Sequence, residues 1–267
     1  MDLQLAFILA LTFVIHLVGT LAYAFRIAGV RTGRIATALS LFNILVLVSR
    51  TSNSFQGPFV AKRVETDILG LVAHPLLIDF SLILGAASLA TIAGGLLIPT
   101  VQRVAVHGVE RFARERSVPR LVGRALAPSG LAVLARSVTL PRRANLTCLR
   151  PGRDVSWSIL ALNVVANALW TVGVLAAIYA GTIDPAFRVT AATLSSIVNG
   201  VATIALFVVI DPYLAGLTDD VVRGRESEPR FRRVVVWMVG SRLLGTLLAQ
   251  ALLIPSAWTI AAVARLL

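Results

Sequence analysis

Apolar positions gather into six runs along the chain, near residues 3–25, 35–54, 76–98, 156–181, 189–211 and 234–263. A helix needs about 20 mainly apolar residues to cross about 30 Å of hydrocarbon, so each run predicts a transmembrane span. The second is the weakest. Its apolar stretch, Ile35 to Val48, gives way to Ser49, Arg50, Thr51, Ser52 and Asn53. It predicts either a short helix or a longer one whose polar end lies at membrane depth. The sixth is long, with a break expected at Pro255. The first begins directly after Met1 and Asp2 without a basic segment, and so reads as a span rather than a cleaved leader. The expected fold class is all-α: a polytopic membrane protein with six transmembrane helices.

Polar residues recur inside the runs at helical spacing. In the second, Thr37, Ser40, Asn43 and Arg50 share a sector of about 140°. The fifth carries Thr193, Ser196, Asn199 and Thr203; the fourth carries Asn163, Asn167 and Trp170. The first shows Thr12, His16, Thr20 and Tyr23, and the sixth Arg242, Thr246 and Gln250. Ser81, Gly85, Ser88 and Gly95 give the third a small-residue face suited to close packing. Any one of these side chains can simply bond a neighbouring helix; together the stripes predict a polar cavity. His16 reads as a core histidine with its hydrogen bonds satisfied, and His74 and Asp79 as boundary residues of the third span.

The chain also matches itself. Shifted by 156 residues, Ala36, Thr37, Ser40 and Asn43 fall on Ala192, Thr193, Ser196 and Asn199, and Ile98 and Pro99 fall on Ile254 and Pro255. Two halves are therefore expected, 1–111 and 156–267, joined by a basic linker at 112–155 within one membrane domain. Each holds three spans, so they must insert with opposite orientation, as in the inverted repeats of secondary transporters.

Charge sets the orientation and little else. The formal net charge is +12, from 25 basic and 13 acidic residues in 267. With the N-terminus outside, segments 26–34, 99–153 and 211–233 hold 19 basic residues, against five in the outer segments 50–67, 182–188 and 264–267. Cytoplasmic connections carry the excess of Lys and Arg, so both termini are expected to be extracytoplasmic. The arginines of the linker predict amphipathic helix on anionic phospholipid, with no need for nucleic acid. One cysteine, Cys148, excludes an intrachain disulfide framework, and the three histidines lack metal-ligand spacing. Phosphate-binding glycine loops and hydrolase nucleophile motifs are absent, and no cofactor is expected.

Arg50 and Arg242 are the basic residues placed in or at the edge of the apolar runs. Arg242 lies nine residues past Arg233, about 13 Å along a helix, and either snorkels to the headgroups or points inward. Arg50 has the same choice, with Glu65, Asp67 or Asp79 as possible partners. Arginine presents a planar fork that holds phosphate oxygens bidentately and does not deprotonate. A cavity with arginines, amides and few acids suits an anionic lipid whose tail stays in the bilayer.

The stretch Arg26, Arg31, Thr32, Gly33, Arg34, Ala36, Thr37, Ser40 and Asn43, continuing through Ser49, Arg50, Thr51, Ser52 and Asn53 to Gln56, Gly57 and Pro58, resembles the Amj family. These are bacterial lipid II flippases that substitute for the unrelated MurJ. The close resemblance covers residues 20–60, while size and six-span layout agree throughout. It implies export of undecaprenyl-pyrophosphate-linked peptidoglycan precursor across the cytoplasmic membrane, in support of cell-wall biogenesis. On that reading Arg26, Arg31 and Arg34 collect phosphates at the cytoplasmic mouth, and Arg50 and Arg242 hold the pyrophosphate. Ser40, Asn43, Asn53, Asn163, Asn167, Asn199 and Gln250 meet sugar or peptide groups. A homo-oligomer is compatible with it. The alternatives are a transporter for another anionic or polyprenyl-linked lipid, a membrane enzyme acting on polyprenyl phosphates with Asp219 and Asp220, and a channel or non-transporting scaffold.

Overall fold

The computed structural model describes residues 2–141 and 155–267. Among these residues the chain is helical and has no strand. Six helical segments are long and apolar enough to cross a membrane. They begin with α1 (Leu3–Thr32), α2 (Ile35–Ile68) and α3 (Leu76–Glu115). Two short helices follow, α4 (Val118–Leu126) and α5 (Pro128–Ser137), then α6 (Trp157–Ile183). The fifth span is composite: α7 (Arg188–Ile204), a π-helical turn at Ala205–Ile210, and α8 (Asp211–Val222). The last span is α9 (Glu228–Leu266). The chain is thereby a multi-pass membrane protein.

Local chemistry explains the ends. Asp2 caps α1 by accepting from the Leu5 amide at 2.7 Å. Gly33 stops the helix in the left-handed conformation, φ 64°, and its amide bonds back into the last turn. The reversal is tight enough for α2 to pass against Gly29, where a side chain would meet the Ile35 backbone at 3.1 Å.

Of the two readings of the second span the longer helix holds, because α2 runs unbroken for 34 residues through Arg50 and Pro58. The sixth does not break at Pro255, which sits inside α9. Proline is tolerated in membrane helices because neighbouring groups and small local adjustments accommodate the carbonyl freed four residues earlier. α3 continues beyond the third apolar run as one helix to Glu115. Of the linker arginines, Arg142, Arg143, Arg150 and Arg153 lie outside the described residues.

The π turn has a local cause. Pro212 offers no N–H and its ring crowds the carbonyl four residues back, which the wider turn before it relieves.

The first three spans and the last three pack alike. α1 runs along α2 and α3, α6 runs along α7 and α9, and α3 meets α9. Glycines set the closest approaches. A side-chain carbon at Gly94 would meet Thr20 at 2.7 Å, and one at Gly245 would meet the Val164 carbonyl at 2.7 Å and Asn167 Cβ at 2.8 Å. Gly245→Val is therefore expected to force α6 and α9 apart and cost about 1–3 kcal/mol. A lowered Tm of the purified protein is the check. Outward faces carry exposed Leu77, Leu82, Leu89, Ile204, Val208 and Leu244, a surface suited to lipid.

One apolar core joins α1, α2, α3, α6, α7 and α9 at the end holding the N-terminus, and includes Phe80, Ile83 and Leu253. Another, around Phe231, Val234 and Met238, closes the opposite end of α6 and α9. Between them the interior is polar.

Candidate functional site

A cavity of about 460 Å³ opens between α1, α2, α6, the π turn, α8 and α9. Arg26, Arg50 and Arg242 line it, with Ser49, Asn53, Ser54, Asn163 and Thr203, and Asp211 is the one acidic lining residue among those described. Three guanidinium groups thus face one carboxylate, and the excess positive charge sits between apolar helices.

Each arginine is held differently. Arg26, near the C-terminal end of α1, donates to Asp211 Oδ1 at 2.7 Å. Arg242, mid-way along α9, has no carboxylate partner among the described residues. Its Nη1 donates to Asn167 Oδ1 at 2.8 Å, and its Nε is buried without a hydrogen bond. Its tip lies over Gly19, where an added Cβ would stand 2.4 Å from Nη2. Arg50 is exposed on α2 at the cavity wall, and its side chain has neither an ion pair nor a hydrogen bond among the described residues.

The two asparagines of α6 hold Arg242 in place. Asn167 Nδ2 donates to Asn163 Oδ1 at 2.9 Å, and Asn163 Nδ2 to Ser241 Oγ at 2.7 Å and the Met238 carbonyl at 3.2 Å. The chain of bonds ties α6 to α9 and leaves Asn167 Oδ1 free to accept from the guanidinium. Arg242 thereby keeps its remaining donors for an anion. Because Gly19 provides the space, Gly19→Leu is expected to displace Arg242 from Asn167 and impair anion binding without removing a charge. Anion titration of the purified variant measures this.

A smaller cavity of about 40 Å³ adjoins the first and shares Ile15, Asn53 and Trp170 with it. Thr12, His16, Gln56, Thr171 and Asn199 line it, and Gln56 Nε2 donates to Thr12 Oγ1 at 2.6 Å. His16 is buried as expected, and its Nδ1, like Asn199 Oδ1, has no hydrogen-bond partner among the described residues. Both groups face space large enough for a water molecule.

The family model described as Amj, alternate to MurJ, matches residues 11–264. The chain is also 34% identical over 262 residues to the lipid II flippase Amj of Bacillus subtilis (strain 168), covering 97% of this chain and 96% of that protein. The chain belongs to the Amj family. No solved structure matches it.

In this Amj-family chain the residues singled out from sequence divide into groups. Arg26, Arg50, Asn53, Asn163 and Arg242 meet at the large cavity, with Asn167 directly behind Arg242 and Asn199 in the small one. Ser40 and Asn43 are exposed and off both cavities, because the face of α2 that reaches the interior is that of Leu39, Phe42, Val46 and Arg50. Gln250 is exposed beside Gly85, two turns beyond Arg242. Arg34 is the exposed residue before α2, and Arg31 pairs with Glu228 at 3.3 Å. Neither lines the membrane cavity.

Arg50 also lacks the acids proposed for it. Asp79 binds Arg63 at 2.7 Å, and Asp67 accepts from the His74 amide at 2.7 Å. Asp219 and Asp220 lie in the last turn of α8, where Asp220 pairs with Arg225. Gly19, Ser241 and Asp211 were not singled out from sequence. Asp211, before Pro212 at the end of an apolar run, is the one with a visible signal.

Proposed function

We propose that this Amj-family protein is a lipid II flippase, moving the polyprenyl-pyrophosphate-linked precursor from the inner to the outer leaflet of a bacterial cell membrane. The observation that carries this reading is the membrane-depth cavity in which Arg26, Arg50 and Arg242 face the single carboxylate of Asp211. The near full-length likeness to a named lipid II flippase supplies the substrate. The excess of basic residues in segments 26–34, 99–153 and 211–233 supports an inside location for the Arg26–Asp211 end, with both termini outside.

The geometry supports a path. Pyrophosphate entering from the inner leaflet competes with Asp211 for Arg26, then exchanges onto Arg242 and Arg50 as bidentate charge-assisted pairs. Asn53, Ser49 and Thr203 offer hydrogen bonds to the sugars and peptide. The isoprenoid tail remains in lipid, since α2 makes no extended contact with α7 or the π turn. Phe207 of the π turn lines the cavity and is exposed, and Leu47, Val48 and Val208 are exposed apolar side chains suited to lipid. The like arrangement of α1, α2 and α3 and of α6, α7 and α9 supports two inverted halves that rock about the α3–α9 seam to alternate access. Basic α3, α4 and α5 then lie against anionic phospholipid at the inner surface.

Purified protein in liposomes holding headgroup-labelled lipid II tests the proposal. It should make the inner-leaflet label accessible to an outside quencher, while leaving a labelled phosphatidylcholine in place. No lipid II movement by correctly inserted protein would count against it.

A further inference from the structure

A second basic cleft lies outside the membrane cavity. It has a volume of about 440 Å³ and sits where α5 folds back beside α3 and the end of α1. Arg31, Arg103, His107 and Arg136 line it, with no carboxylate among the described lining residues. Arg31 is partly neutralised by Glu228, which it shares with Arg232. Arg103 donates to Thr139 Oγ1 at 2.6 Å, a neutral partner, and the Arg136 side chain has no partner among the described residues.

The fold holds these charges together on purpose-built contacts. Thr100 Oγ1 donates to the Thr139 carbonyl at 3.0 Å and accepts from the Thr139 amide at 3.0 Å, while Ser137 is buried. These bonds clamp the end of α5 against α3 and bring Arg136 to the wall that carries Arg103. Arg103 and Arg136 share the cleft with no acidic partner among the described residues, and like charges held together favour an anion between them. The cleft also lies just beyond the apolar run of α3, beside a helix that exposes Leu131 and Leu134. Those side chains suit the acyl boundary and set the arginines at headgroup depth.

We propose that this cleft is a second anion site that takes the phosphate or pyrophosphate of a lipid headgroup in the adjoining leaflet. The site is separate from Arg50 and Arg242 and does not depend on what the central cavity transports. Arg103 and Arg136 supply the main contacts, and His107, whose Nδ1 lies 2.9 Å from the Arg103 carbonyl, borders them.

The test uses full-length protein carrying Arg26→Gln, Arg50→Gln and Arg242→Gln, which removes all three arginines lining the central cavity, in phosphatidylcholine nanodiscs titrated with inorganic pyrophosphate. Binding should persist. Adding Arg103→Gln and Arg136→Gln should weaken it by at least about tenfold, and Arg103→Lys with Arg136→Lys by less, since charge is kept while the fork is lost. Circular dichroism checks that helix content is equal in all variants. In phosphatidylglycerol nanodiscs, weaker pyrophosphate binding identifies bilayer phospholipid as a natural occupant, and unchanged binding identifies selectivity for pyrophosphate. Absence of binding in the parent, or equal binding by the Gln pair and its parent, would overturn the proposal.

Discussion

Arg242→Gln protein is expected to insert and accumulate like the wild type, yet to move lipid II at least about thirtyfold more slowly. Removing one member of a buried charge pair costs about 2–5 kcal/mol, and about 1.4 kcal/mol is tenfold in affinity. In the resting protein Arg242 has only Asn167 as a side-chain partner among the described residues and no acid there, so its removal strands no described buried carboxylate. The loss should therefore appear in transport rather than in stability. Arg50→Gln should behave similarly, because that side chain has no resting partner among the described residues. Arg242→Lys should recover only part of the rate, since an ammonium keeps the charge but cannot bind two oxygens in one plane. Labelled lipid II movement in liposomes, normalised to inserted protein, reads all three. Normal transport by Arg242→Gln would remove that residue from the substrate path.

Arg63→Met should do the opposite, damaging the fold first. The Arg63 side chain is 3% exposed and holds Asp79, 4% exposed, through Nε at 2.7 Å and Asp2 through Nη1 at 2.7 Å. It thus fastens the start of α1, the end of α2 and the start of α3. Without it Asp79 is a buried, unpaired carboxylate, and the expected cost is about 3–5 kcal/mol. Arg63→Met with Asp79→Leu should recover most of that, because an apolar pair needs no counter-charge.

The same end of the bundle should weaken in acid. The Asp2 carboxyl is held below its ordinary value by the Leu5 amide and then by Arg63, and that of Asp184 by Arg265. A carboxyl depressed in the folded state contributes stability above its unfolded value, and loses it as pH falls through the folded value. Thermal unfolding of the wild type should hold steady down to about pH 4 and decline below it. A double variant no more stable than Arg63→Met would show that the clamp has another basis.

How much of this was legible in the sequence depends on the range of the interaction. The six spans follow from summed hydrophobicity over about 20 residues, which lipid reads directly. The continuation of α2 through Arg50 to Ile68 is less visible, because its polar segment is satisfied by tertiary partners such as Thr12 for Gln56. That continuation also places Arg63, rather than Arg50, beside Asp79. The Asn163–Asn167 stripe is plain in the helical period, but its bond to Arg242 depends on α6 meeting α9 at Gly245. Ser40 and Asn43 show the converse. They share the period of Arg50, yet the tilt and rotation of α2 against α1 turn them away from the cavity. Gly19 leaves no periodic signal, since its importance lies in what it allows Arg242 to occupy.

The central claim is that this chain carries lipid II across the membrane through its arginine-lined cavity. Outer-leaflet accessibility of lipid II in bacterial cells depleted of MurJ, with this protein as the sole flippase supplied, tests it most directly. Accessible lipid II is predicted with the wild-type chain and its loss with Arg50→Gln and Arg242→Gln at equal membrane abundance. Lipid II confined to the inner leaflet despite correctly inserted wild-type protein would contradict it.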